Sequence, residues 1–266
     1  MRSILSVSTL LTVALALAAQ SAVAADPPVR PDENKGPRVT LVASEDDYHT
    51  DQTFPAFAKL LTEQYGCRCT VLLGKGKTDI PGLDALKTTD ALILFTRRRA
   101  LPKEQLDAIR AYIDAGKPLV ALRTCSHGFV VEPGKQAPPE TVQWPEFDPD
   151  VLGGNYHGHF KNAGAQVQVV VKMSTHPILA GVAPPKWTTN GSLYWVSPVD
   201  KEAVVLLTGA AEGQTEPVAW THSYKGGRVF YTELGHQDDF ATGQFRTLLV
   251  NAVFWVMDRP VPTPYK

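Results

Sequence analysis

The chain is short of cysteine, short of net charge and, past its first two dozen residues, short of long apolar runs. Three cysteines in 266 residues cannot all pair. Cys67 and Cys69 stand too close for an easy mutual bridge, which excludes a disulfide-built scaffold. Lys and Arg number 26 against 27 Asp and Glu, so no basic excess asks for nucleic acid or an anionic membrane. No G-x-G-x-x-G opens the first helical segment, and no tightly bound nicotinamide or flavin is expected. Neither a linker nor an internal repeat divides the chain.

The long apolar run that is present lies at the start, in MRSILSVSTLLTVALALAAQSAVAADPP. One positive charge at Arg2, an apolar stretch and the small residues Ala22-Val23-Ala24 make the pattern of a secretory signal peptide, with cleavage expected near Ala24 or Ala25. The stretch is short for a membrane span, and no cysteine follows it for acylation. The expected organisation is a signal peptide over 1–24, a flexible Pro-rich leader over 25–37 and one α/β domain over 38–262. The product is expected to be exported, periplasmic or secreted, with no membrane span after cleavage.

Apolar strand-like runs then alternate with helical spacing, which predicts a mostly parallel sheet covered on both faces. Val39–Ala43, Thr70–Leu73, Ala91–Phe95 and Leu119–Leu122 are the expected parallel strands. Phe54, Phe57, Leu60 and Leu61 mark a first helix. Leu106, Ile109 and Ile113, between Pro102 and Gly116, mark a second. The second half is richer in β signals: Gln166–Val171, Ser192–Val196, Ala203–Leu207, Pro217–Trp220 and Arg228–Thr232, with His222 in an expected edge hairpin. A closing helix is expected over Gly243–Met257.

Ligands of open α/β sheets bind outside the carboxyl ends of the strands. Four polar segments fall there: Ser44–His49, Thr96–Arg99, Arg123–Gly128 and Glu233–His236. In the third, a sharp turn after PLVAL offers Cys125 as a nucleophile, with His236 as base and Glu233 orienting it. The plainer reading of Cys125 is a small buried residue under a pocket floor. Arg97, Arg98 and Arg99 read most simply as a solvated run. Arg123 ends a buried strand and is expected to pair with Glu45, Asp46 or a ligand.

In GGNYHGHF, His157 and His159 stand two apart, so in a strand both imidazoles face one side and Tyr156 faces the core. They are half of a candidate zinc or other divalent-metal site, with His127, His236, Glu233 or Glu45 as a third ligand. A metal-free pair lining a pocket is the other reading.

The segments SEDDYHTDQTFPAFA, FTRRRALPKEQL, GKPLVALRTCSHGF, GGNYHGHF, THPILAG and PVAWTHSYKGGRVFYTELGHQDDF together resemble the trehalose-utilisation, or ThuA-like, family from about Val39 to Pro260. The resemblance implies a class I glutamine amidotransferase-like fold, a flavodoxin-like doubly wound, mostly parallel sheet, here a single domain with β-rich additions in the second half. It also implies a place in disaccharide or keto-sugar catabolism, and it puts His236 where that fold keeps a catalytic histidine. The expected chemistry is acid/base isomerase, lyase or hydrolase action on a sugar. His236, Glu233 and His127 are the catalytic candidates, and Glu45, Tyr48, Arg123, Ser126, His157 and His159 the ligand-binding ones. A separate sugar dehydrogenase is a candidate partner. A non-catalytic sugar-binding protein and a cysteine-dependent amidase or hydrolase using Cys125 stay open as alternatives.

Overall fold

β1 (Arg38–Ser44), β2 (Arg68–Leu73), β3 (Ala91–Thr96) and β4 (Leu119–Leu122) form where the apolar runs predict them. Strands buried on both faces are apolar at successive positions, and the pleat divides each between two cores. In β3, Ala91, Ile93 and Phe95 enter one core while Leu92 and Leu94 enter the other. Helices α1 (Thr50–Tyr65) and α3 (Gly243–Val256) cover the first core; α2 (Lys103–Asp114) covers the second. Phe54, Phe57 and Leu61 of α1 are buried, each worth about 2 kcal/mol in removed apolar surface. Gly66 ends that helix with φ of 68° and donates its N–H to the carbonyls of Leu61 and Thr62.

The computed structural model describes residues 35–160, 167–173, 175–261 and 263. The expected signal peptide and most of the leader lie outside them, as does Gln166. Among the described residues no helix is long and apolar enough to cross a membrane.

The second half adds β5 (Val167–Val171), β6 (Lys186–Thr189), β7 (Val204–Ala211), β8 (Gln214–Tyr224) and β9 (Gly227–Thr232). The sheet order is β2-β1-β3-β4-β9-β8-β7-β5-β6. The first five strands run parallel, and the steps from β9 onward are antiparallel. This is the doubly wound α/β sheet the sequence pattern predicts, with the antiparallel strands as its β-rich addition.

Two expectations change, and one strand is new. The hairpin carrying His222 is interior, because β7, β5 and β6 continue the sheet beyond it. β6, which follows a pair of prolines, has too little alternation to announce itself. Ser192–Val196 contributes only Tyr194–Trp195, paired with Gly158–His159 in a separate two-stranded ribbon. His159 and Tyr194 of that ribbon line a cleft together with residues of the loops after β1, β3 and β4.

Candidate functional site

β1, β3 and β4 lie close together in the sheet, and the loops that follow them line a cleft of about 260 Å³. Asp47 and Tyr48 come from the first loop, Arg97 and Arg98 from the second, Thr124 and His127 from the third. Tyr156, His159, Ser192 and Tyr194 bring the ribbon side to it. A second cleft of about 340 Å³ shares Arg98, His127 and Tyr156 and adds Ser126, Asp148, Asn155 and His157. A larger groove of about 560 Å³ lies between α1 and the turn Gln237–Ala241, but its only charged lining residue is Arg246. Perturbed ionisable groups gather in the two smaller clefts, and the chemistry points there.

The turn out of β4 is strained at Arg123, whose φ is 46°, and not at Cys125. Arg123 is 2% exposed and is held on several sides. Nη1 donates to the Glu233 carbonyl at 2.6 Å and Nη2 to Ser192 Oγ at 3.2 Å. Its guanidinium lies 4.6 Å from the Tyr48 ring centre and 4.9 Å from that of Tyr194, a desolvated cation between two π faces. A Cβ on Gly191 would stand 2.6 Å from Nη1, so only glycine fits beside it. Arg123 thus sets two aromatic walls of the cleft from beneath.

His127 is buried, with its ring 4.3 Å from Tyr156 and 5.9 Å from Tyr194, and its Nδ1 is 3.2 Å from Ser126 Oγ. Burial first, then the charges of Arg98, Arg97 and Arg123 and the nearby His159, push its pKa down to about 2. At neutral pH it is an uncharged imidazole, suited to hydrogen bonding rather than to carrying charge. Asp148 is opposite in kind: burial lifts its carboxyl to about 7 against the N–H of Tyr156. The remaining arginines are paired. Arg97 meets Asp47 at 2.9 Å and Glu132 at 3.7 Å, and Arg98 meets Glu132 at 3.6 Å. Arg99, expected in solvent, is buried and chelates Asp46 at 2.9 and 3.3 Å, because its strand-end position turns it under the β1 loop. Lys77 also contacts Asp46.

His127, Tyr48, Ser126, His157 and His159 all line one cleft or the other. Arg123 supports the cleft from below and pairs with neither Glu45 nor Asp46. Glu45 is spent locally: its two oxygens accept from the N–H groups of Tyr48 and Thr50 and from Thr50 Oγ1, fixing the entry to α1. Glu233 is buried behind Tyr194, whose N–H it accepts at 3.1 Å, and burial pushes its carboxyl well above the carboxylate range. His236 begins the turn Gln237–Ala241, where Nδ1 accepts from Asp238 N–H at 3.3 Å; Tyr48, with its ring 6.0 Å away, also packs against Arg123.

Cys125 is fully buried, bonds to the Leu94 carbonyl at 3.1 Å, and is pushed up to about 12 by burial, so it stays a thiol. The two histidines of GGNYHGHF do not share a face. Gly158, at φ 144°, breaks the alternation, so His157 packs on Trp195 at 5.4 Å and His159 lines the other cleft. Tyr156, expected in the core, is half-buried, packing on the second core while its ring lies 4.3 Å from that of His127. Among the described residues no group of three His, Cys, Asp or Glu is placed to hold a metal ion, and the donor set does not fit a zinc site. Asp148 escaped the sequence reading; the signal for it is the Gly153-Gly154 pair, since a Cβ on Gly154 would lie 2.1 Å from Asp148 Oδ1.

The doubly wound sheet with its cleft over the carboxyl ends of β1, β3 and β4 places the chain, by fold, in the class I glutamine amidotransferase-like class of α/β folds. Within that class the chain belongs to the trehalose-utilisation (ThuA) family, whose profile matches residues 38–256. It is similar to a ThuA-like protein of Bacteroides uniformis at 21% identity and TM-score 0.61, over 84% of this chain and 92% of that one. A ThuA-like protein of Parabacteroides merdae matches at 16% identity and TM-score 0.55, over 87% and 98%. A candidate GMP synthase protein of Thermoplasma acidophilum shares the fold at 13% identity and TM-score 0.51, over 84% and 94%. No curated protein matches.

Proposed function

We propose that the paired clefts bind a sugar or keto-sugar and transform it by acid/base chemistry. The observation that carries this reading is the neutral imidazole of His127, buried in one cluster with the rings of Tyr156 and Tyr194 and beside Arg97 and Arg98. Sugar rings offer C–H faces to aromatic rings and hydroxyls to fixed polar groups. Trp195, 51% exposed and next to His157 at the rim, extends the aromatic surface outward. The family's link to trehalose utilisation supports the same substrate class. A cysteine nucleophile does not fit, since the Cys125 thiol is buried and protonated.

Calorimetric titration with trehalose, keto-hexoses and keto-disaccharides tests the reading. Wild-type protein is expected to bind at least one of them saturably, and His127→Ala and Tyr156→Ala each to lose about 1.4 kcal/mol or more, tenfold in affinity. No saturable binding by any of these sugars sinks the proposal. Binding without product formation makes the protein a sugar-binding module.

A further inference from the structure

We infer that Asp148 is the proton-transferring carboxyl of this protein, working across the bound ligand from His127. The inference rests on the sugar reading above and names the group that would do its chemistry. Asp148 lies in the short helical turn Phe147–Leu152, is 8% exposed and lines the larger of the two clefts together with His127. Oδ2 accepts the Tyr156 N–H at 2.8 Å. Oδ1 is buried and has no partner among the described residues. Leaving a buried carboxyl oxygen unsatisfied costs free energy, and such groups call for an explanation beyond packing. The missing side chain of Gly154 lets the Asp148 carboxyl pack close against the backbone, since any Cβ there would collide with Oδ1 at 2.1 Å.

The groups around Asp148 come from several elements. Ser126 and His127 face it from the turn after β4, Arg98 from the loop after β3, and Tyr156 and His157 from the strand-like segment beyond. Cys125, Tyr231 and Glu233, on β4's turn and the end of β9, also feel its charge. No ion pair reaches Asp148 among the described residues, so nothing holds it permanently ionised. Its elevated pKa of about 7 matches what a proton shuttle needs at neutral pH.

In a keto-sugar the Asp148 carboxylate takes the proton from the carbon next to the carbonyl. The C–H electron pair becomes the C=C bond of an enediolate, and the carbonyl π pair moves to oxygen, where uncharged His127 donates a hydrogen bond. The hydroxyl proton crosses from one oxygen to the other, and Asp148 returns its proton to the former carbonyl carbon. The balance is a tautomerisation, with no oxidant or reductant.

The experiment is NMR detection of deuterium uptake beside the carbonyl of D-fructose, L-sorbose and keto-disaccharides in D2O, alongside calorimetric binding of the same sugars. Wild type is expected to exchange, with a rate that rises with pH through a group titrating near neutrality. Asp148→Asn, which keeps an acceptor for the Tyr156 N–H, should bind as wild type but exchange at least about 100-fold more slowly, without that pH limb. Asp148→Glu, restoring an ionisable group, should recover part of the rate and a displaced limb. Unchanged exchange in Asp148→Asn overturns the inference. So does a wild type that binds sugar without exchange, which leaves the binding half of the sugar reading standing. Absence of any calorimetric binding fails the sugar reading itself, and this inference with it.

Discussion

The turn after β4 and the turn after β9 look alike in sequence and do opposite things. Both follow buried strands, and both carry histidine among polar residues. After β9, His236 and Asp239 are consumed by the turn itself: the Asp239 carboxylate accepts from the N–H groups of Gly235 and His236, and His236 accepts from Asp238. After β4, the backbone is strained at Arg123 and the His127 ring faces a cleft. A polar loop at a strand's carboxyl end becomes a site when its hydrogen bonds are left for a ligand, and a cap when it spends them on its own backbone.

Removing Arg123 should break the comparison most severely. Arg123→Ala deletes two hydrogen bonds and two cation–π contacts and leaves a void beneath Tyr48 and Tyr194. A loss of about 3 kcal/mol or more is expected, read from the urea midpoint at constant slope. Gly191→Ala, crowding the same guanidinium, should cost about 1 to 3 kcal/mol and weaken sugar binding with it. If both variants unfold like wild type, Arg123 does not set the aromatic walls.

Acid should sharpen the contrast next. His127 has its folded pKa pushed down to about 2 from 6.5 in the unfolded chain, burial being the first cause and the neighbouring arginines the next. Below pH 6.5 the unfolded state therefore takes up a proton that the folded state refuses. The stability present above that pH is lost as pH falls toward the folded pKa. At pH 4 the loss from this one group is about 3 kcal/mol. His127→Gln should remove it, so that the variant, compared with wild type, gains stability between pH 7 and pH 4. Asp148 titrates oppositely: raised from 3.8 to about 7, it destabilises the fold as pH rises through the same window, and remains in both proteins. Parallel wild-type and variant curves would show that His127 is protonated freely in the folded state.

Much of the fold was legible because each parallel strand is a short apolar run bounded by polar residues, and Leu119–Leu122 matches residue for residue. The candidate clefts were legible in the strand-end loops, where His127, Tyr48 and Ser126 are lining residues. What escaped depends on distant chain. Arg99 reads as solvent-facing until the β1 loop folds over it. Tyr156 reads as core and does pack on it, but its contact with His127 needs the distant turn after β4. Asp148 sits in a Pro-flanked segment with no periodicity to interpret, and its burial is fixed by packing from other elements.

The smallest effect belongs to the residue that sequence favoured most. His236 caps a five-residue 3-10 turn, and its loss is that of one side-chain cap: about 1 kcal/mol for His236→Ala, with sugar binding and deuterium exchange at wild-type levels. The carboxylate of Asp239, which holds the backbone N–H groups of both Gly235 and His236, would keep the turn closed without the imidazole. Chemical denaturation and exchange measured on the same variant decide the matter. A large fall in exchange with stability intact would return His236 to the reacting centre, acting through Tyr48, and would mean that the two turns differ less than their hydrogen bonds imply.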